Sequence, residues 1–370
     1  MIPIVKIIGN LCNLRCSYCF YNSQGQDSRR LMSLELLEKL ISQYAQIFSN
    51  RAQFIWHGGE PLLAGFSFFE KVVDLQKRYF KKGAIVENCI QTNGTLLDKK
   101  WAIFFRSHNF QVSISLDGYK ESHDHFRKYA NGKGTFVKVL NALKILRAHR
   151  IEPGLIQVIT RDNLQYSKKN FQFLADSLRV RNWSFIPYYN RDRFNPMRTQ
   201  SLSNSELTRF LKTYLDCWLD RDDPNLRILD IEDFLCGIWG KRASLCSFNG
   251  YCEEFFCVDW DGKVYPCDGY LSNQPELVVG DLSRQSLIDI LQGEHWREFI
   301  KKTKIAPREC LRCEWYKVCH NGCPSYRIGG ISGKYYFCNT RKEVFANLKN
   351  IVCRQKMLRG TNKRERRVYQ

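Results

Sequence analysis

The sequence predicts an α/β protein, an open (β/α)6 partial TIM barrel followed by a smaller cysteine-rich C-terminal domain. Three observations lead there. Short apolar runs alternate with helical periods six times over residues 1–190. Most of the 16 cysteines fall in two clusters with a long cysteine-poor stretch between them. The glycine pairs and chemistry-bearing side chains of the first half follow the ends of predicted strands.

The apolar runs lie at 5–8, 53–56, 86–91, 112–116, 155–159 and 183–186. Between the first two stands "SLELLEKLISQYAQIF", which predicts a helix with Ser33 as N-cap and with Leu34, Leu37, Ile41 and Tyr44 near one face. Further helical periods run near 66–77, 98–108, 135–148 and 167–177. Repeated strand–helix units imply parallel strands joined by right-handed crossovers. Six strands are too few for a closed eight-stranded barrel, so an open one is expected, with a doubly wound sheet as the alternative. In either fold the loops after the strands build the site. A three-cysteine loop follows the first strand, "HGGEP" the second and "TNGT" the third, and "SLDG" ends the fourth. These place a barrel at 1–190. Residues 191–245, with helical stretches near 203–220 and 231–239, read as a helical bridge. The cysteine-dense domain takes 246–345, and a helix end with a basic tail takes 346–370.

Composition narrows the class. An apolar share of 44% over 370 residues supplies a large core. There is no apolar run long enough to span a bilayer, and "MIPIVKIIG" lacks the basic region and cleavage site of a signal peptide. A cytoplasmic protein without a membrane partner is expected. Cysteines in such a compartment are better explained by metal than by disulfides. The formal charge of +20 invites a nucleic-acid reading, but the tail "RQKMLRGTNKRERRVYQ" supplies +6 of it and reads as a solvated end.

"NLCNLRCSYCFY" places Cys12, Cys16 and Cys19 on one short loop. Structural zinc and closed iron–sulfur cubes take four ligands, so three thiolates leave one metal position open. Half a zinc ribbon or three core thiols are the alternatives. The spacing C-x3-C-x2-C, with Tyr18 before the last cysteine, resembles the loop of the radical S-adenosylmethionine (SAM) superfamily. The resemblance implies that three irons of a [4Fe–4S] cluster are held by these cysteines and the fourth by the amino and carboxylate groups of SAM. Reductive cleavage then yields a 5′-deoxyadenosyl radical that abstracts hydrogen from substrate. "WHGGEPLL" looks like the family's glycine-rich motif: Gly58 and Gly59 would let backbone approach the methionine amine, and Glu60 would accept from its ammonium. "SISLDG" and "HDHFR" resemble the segment that meets the SAM carboxylate and ribose, pointing to Ser115, Asp117 and Arg127. Asn93 of "QTNGT" joins them, though Asn-Gly is also a common turn.

In the second cluster, C-x5-C-x9-G-x4-C (Cys246, Cys252, Gly262, Cys267) precedes C-x2-C-x5-C-x3-C (Cys310, Cys313, Cys319, Cys323) and Cys338. This resembles the SPASM domain of peptide and sulfatase maturases, which carries two auxiliary [4Fe–4S] clusters. The resemblance assigns Cys246, Cys252, Cys267 and Cys323 to one and Cys310, Cys313, Cys319 and Cys338 to the other, making three clusters in all. Clusters so ligated would bring the net charge to about +15. Cys89, Cys217, Cys236, Cys257 and Cys353 are left as ordinary thiols.

Asp268, after Cys267 in "YPCD", matches the proton-accepting aspartate of anaerobic sulfatase-maturating enzymes, and Tyr21 matches a substrate-side residue. His57 stands where a glutamine can serve the substrate in that group, Tyr119 where proline is usual, and Asn321 where glycine is common. The expected activity is radical oxidation of a peptide or protein residue. The product is either formylglycine from Cys or Ser in a sulfatase, or a cyclophane or thioether cross-link in a ribosomal precursor peptide. An external one-electron reductant of flavodoxin or ferredoxin type is the second expected partner. The reading of a different class is a non-catalytic zinc-ribbon protein that binds nucleic acid.

Overall fold

The computed structural model describes residues 1–19, 31–190, 199–250, 252–271 and 275–368. Its first half supplies six strands: β1 (Ile2–Lys6), β2 (Arg51–His57), β3 (Ile85–Thr92), β4 (Phe110–Ser115), β5 (Gly154–Ile159) and β6 (Asn182–Pro187). Each pairs in parallel with the next. A doubly wound sheet reverses its strand order at a switch point. Here the order runs from β1 to β6 without reversal, which is the (β/α)6 arrangement.

The crossovers carry α1 (Leu34–Ile47), α2 (Phe66–Tyr79), α3 (Lys99–Ser107), α4 (Lys120–Phe126), α5 (Phe136–Ala148) and α6 (Ser167–Gln172), the last continued by a π-helical turn Phe173–Ser177. α1 begins where its cap predicts: the Ser33 side chain accepts from the Leu36 N–H, worth about 1 kcal/mol. Leu37, Leu40, Ile41 and Tyr44 are buried. Leu34, expected on that face, is exposed, because it lies in the first turn, ahead of the buried stretch that begins at Leu37. Aromatic rings fill the layer between sheet and helices. Phe54 stacks on Trp56 at 5.5 Å and Trp101 on Phe105 at 5.4 Å, each buried ring contributing about 1.5–3 kcal/mol. The Trp56 indole N–H is satisfied by Asn88 Oδ1 at 2.8 Å, so burying it leaves no orphan donor.

After β6 come α7 (Asn204–Arg221), opened by a Ser203–Glu206 capping box, β7 (Arg227–Ile228), which pairs with β6, and α8 (Leu229–Ile238). The sheet then continues into the cysteine-dense region. β8 (Phe255–Asp259) pairs in parallel with β1 along its whole length, and β9 (Lys263–Tyr265) and β10 (Gly280–Asp281) follow antiparallel. Sequence reading ended the sheet near residue 190. The structure instead covers the open edge of β1 with β8, so the two expected domains share one ten-stranded sheet. The turn from β8 to β9 needs Gly262, whose φ of 92° is left-handed and whose N–H closes on Asp259 O at 3.0 Å. Among the described residues no helix is long and apolar enough to cross a membrane.

Candidate active site

The loop after β1 carries Cys12, Cys16 and Cys19, and the loop after β2 is zipped onto it. Gly59 N–H donates to Gly9 O and Glu60 N–H to Leu11 O, both at 2.8 Å. A Cβ on Gly59 would stand 1.8 Å from Leu11 O, so only glycine permits the contact. Sequence reading gave the close approach to a ligand amine; the structure gives it to the cysteine loop. Glu60 also differs from its expectation. Its carboxylate is fully buried and takes hydrogen bonds from Leu62 N–H (3.1 Å), Thr92 Oγ1 (2.7 Å) and Asn93 N–H (2.7 Å). A carboxylate without solvent must be supplied with donors from the protein. Glu60 thus ties the glycine loop to the "TNGT" loop rather than facing open space. Burial raises its pKa to about 7 against those three bonds.

Asp117 and Arg127 are paired with each other. The guanidinium donates through Nε to Oδ2 at 2.9 Å and through Nη2 to Oδ1 at 3.1 Å, while Tyr18 Oη donates to Oδ2 at 2.5 Å and Val158 N–H to Oδ1 at 3.0 Å. Expected to meet SAM, the Asp117 carboxylate is entirely enclosed. It fixes Tyr18, and with it the cysteine loop, to the end of β4. Ser115, at the end of β4, is half-buried and accepts from Gln91 Nε2 at 3.0 Å. Asn93 donates to Cys12 Sγ at 3.7 Å and Asn13 Oδ1 at 2.9 Å. Burial pushes the Cys12 and Cys16 thiols up to about 12; for Cys16 the nearby charge of Arg127 pulls the other way. Enclosed thiols of this kind ionise when a metal takes them, so the loop suits a cluster. Tyr21 lies outside the described residues.

The C-terminal cysteines form two quartets. Cys246, Cys252, Cys267 and Cys323 disfavour one another's ionisation, as thiols gathered around one space do. Cys310, Cys313, Cys319 and Cys338 line a cavity of about 400 Å³ with Trp315 and Arg341. They surround space rather than converge on a point: among the described residues no three His, Cys, Asp or Glu side chains stand close enough to hold a single ion. Both quartets keep a buried cation that sequence reading missed. Arg327, 2% exposed, donates to four backbone carbonyls, among them Thr303 O and Ile331 O, and its charge bears on Cys252 and Cys323. Arg341, 4% exposed, donates to Cys319 O at 3.0 Å and Cys319 Sγ at 3.7 Å. Among the described residues neither pairs with a carboxylate, and a buried guanidinium needs a counter-charge. Four thiolates around a 2+ iron–sulfur core supply it. The donor sets therefore fit [4Fe–4S] clusters.

Asp268 and His57, 211 positions apart in sequence, are brought together by a lysine. Lys6, wholly buried in β1 beside His57 of β2, places Nζ 2.6 Å from His57 Nδ1 and 3.3 Å from Asp268 Oδ2. Asp268 stays 30% exposed and accepts from Cys267 Sγ at 3.4 Å. Burial alone would raise its carboxyl, but the charge of Lys6 holds it down at about 2. Burial and Lys6 both push His57 down, to about 3, so the imidazole is neutral. Lys6 went unremarked in the sequence, although a lysine flanked by apolar residues in "IPIVKIIG" is the signal of a buried charge.

Comparison with known proteins bears on the same residues. Residues 6–166 match the radical SAM superfamily model and 246–314 an iron–sulfur cluster-binding (SPASM) domain model. The chain is 31% identical over 363 residues to a cysteine-type anaerobic sulfatase-maturating enzyme of Clostridium perfringens, covering 92% of this chain and 94% of that one. It is 30% identical over 370 residues to a serine-type anaerobic sulfatase-maturating enzyme of Bacteroides thetaiotaomicron, covering 93% and 88%. The solved structure of native anSMEcpe with bound AdoMet and Cp18Cys peptide superposes with a TM-score of 0.83 at 31% identity, over 94% of this chain and 99% of that one.

Proposed function

Because the chain belongs to the radical SAM/SPASM family of anaerobic sulfatase-maturating enzymes, we propose that it oxidises a Cys or Ser side chain of a target protein to formylglycine. It is a radical SAM enzyme of peptide or protein modification, with SAM and [4Fe–4S] clusters as cofactors. Cys12, Cys16 and Cys19 hold the cluster that binds SAM, with Tyr18, Asn93, Ser115, Gly58, Gly59, Glu60, Asp117 and Arg127 shaping its loops. Cys246, Cys252, Cys267 and Cys323 hold one auxiliary cluster, and Cys310, Cys313, Cys319 and Cys338 the other. When bound, SAM and its reduced cluster supply the 5′-deoxyadenosyl radical that removes one hydrogen atom from the substrate Cβ.

The remaining proton is handled by this chain. Oxidation of –CH2–OH or –CH2–SH to the aldehyde level removes a hydrogen atom, an electron and the proton of the hydroxyl or thiol. Asp268 takes that proton, and the adjacent auxiliary cluster is placed to take the electron. The observation that carries this reading is the partly exposed Asp268 carboxylate, held ionised by Lys6 and directly joined to Cys267. An external one-electron donor of flavodoxin or ferredoxin type completes the cycle, and its docking is favoured by the basic surface that the +20 charge implies.

Asp268→Asn tests the assignment. The variant keeps its iron and still releases 5′-deoxyadenosine, while aldehyde formation falls by about 10²–10⁴, the scale of a lost general base. Aldehyde formed at the wild-type rate by the variant would remove Asp268 from the mechanism.

A further inference from the structure

We infer that Lys6 is a positioning residue that joins substrate recognition to deprotonation, by fixing His57 as a one-sided hydrogen-bond donor and holding Asp268 beside it. The inference rests on the function proposed above and adds two assignments to it: the role of Lys6, and the chemistry that His57 offers the substrate.

The geometry determines the tautomer. A lysine ammonium only donates, so at 2.6 Å the Nδ1 of His57 must be the acceptor. The ring proton then sits on Nε2. His57 is half-buried, and among the described residues Nε2 has no protein partner. It is a single N–H left for a ligand. A glutamine at this position would present both a carbonyl and an amino group to its surroundings. His57 with its Nδ1 occupied presents only a donor, so the substrate atom it meets is an acceptor: a peptide carbonyl or the oxygen of a polar side chain.

The same ammonium reaches Asp268 Oδ2 at 3.3 Å. Lys6 has little freedom to choose between the two, because it is wholly buried and belongs to a strand paired on both sides, to His57 of β2 and to Asp259 of β8. A buried cation held this way fixes both neighbours with one group. A substrate carbonyl seated on His57 is thereby set at a constant distance from the base. Positional error of this kind is what lowers the rate of a step whose partners are otherwise present.

The test uses reconstituted holoenzyme and a Cys- or Ser-containing sulfatase-motif peptide. Three quantities are read: iron per chain, peptide KM, and the ratio of 5′-deoxyadenosine released to peptide modified. Lys6→Met is expected to keep its iron and SAM cleavage while that ratio rises about tenfold or more, the scale of one lost charge-assisted hydrogen bond. His57→Phe is expected to raise the peptide KM about tenfold. In His57→Gln the amide can accept from Lys6 and donate to the peptide at once, and most of that loss is recovered. Two results overturn the inference: Lys6→Met with full iron and an unchanged ratio, or Phe and Gln at position 57 giving the same KM. The pair at position 57 decides the matter even if Lys6→Met does not fold. A wild-type enzyme that modifies no such peptide removes the proposed function itself, which is a separate and distinguishable failure.

Discussion

A carboxylate shut away from water survives only if donors meet it, and Asp117 shows how completely that can be done. Two guanidinium bonds, a phenol and a backbone N–H converge on it. Asp117→Asn leaves Arg127 as a buried charge without its partner, and stability is expected to fall by about 3–5 kcal/mol, read from denaturant unfolding of the reconstituted protein. Glu60 makes a different prediction. Its folded pKa of about 7 lies above the 4.5 of the unfolded chain, so between those values the folded protein holds a proton that the unfolded chain releases. Stability therefore falls as pH rises through this window, by up to ~3 kcal/mol. Thermal midpoints taken at several pH values across it should decline in the wild type and lie flat in Glu60→Gln; equal slopes would show that Glu60 is not the group responsible. Neither role was legible in the sequence. Motif resemblance marks which residues gather near a cofactor, but whether a carboxylate faces the ligand or braces the loop depends on donors that arrive from other strands.

The elements themselves were more legible. The expected strands differ from the observed ones by a few residues at their ends, as with 53–56 inside Arg51–His57, and the cap of α1 is where Ser33 places it. These are local features, written in alternation, periodicity and capping chemistry. What failed was non-local. The five-residue run of β8 has nothing in its sequence to say that its partner is β1, more than 240 positions away. Lys6 likewise acquires meaning only once His57 and Asp268 are laid beside it. The glycine loop links both levels: "HGGEP" announces a tight turn, and the structure shows that the tight contact is with the cysteine loop. Gly59→Ala is accordingly expected to displace that loop and lose the cluster it carries. Iron should drop from about twelve per chain to about eight, with the auxiliary clusters retained; a full complement would mean that the contact is dispensable.

At the scale of the molecule, one sheet connects the three-cysteine loop after β1 to the strands that precede Asp268. Pairing β8 with β1 makes the site a joint product of the N-terminal barrel and the cysteine-rich region, since Lys6 comes from one and Asp268 from the other. The radical cofactor loop, the proton acceptor and its adjacent cluster ligands are thus parts of one folded unit. The measurement that bears on this arrangement most directly is tandem mass spectrometry of a Cys- or Ser-containing sulfatase-motif peptide after anaerobic incubation with reconstituted enzyme, SAM and a one-electron reductant. The predicted result is an aldehyde at the Cys or Ser position, abolished in Asp268→Asn although 5′-deoxyadenosine is still released. A peptide left unmodified while SAM is cleaved, or one that loses two hydrogens with fragmentation suppressed between two residues, would contradict formylglycine formation.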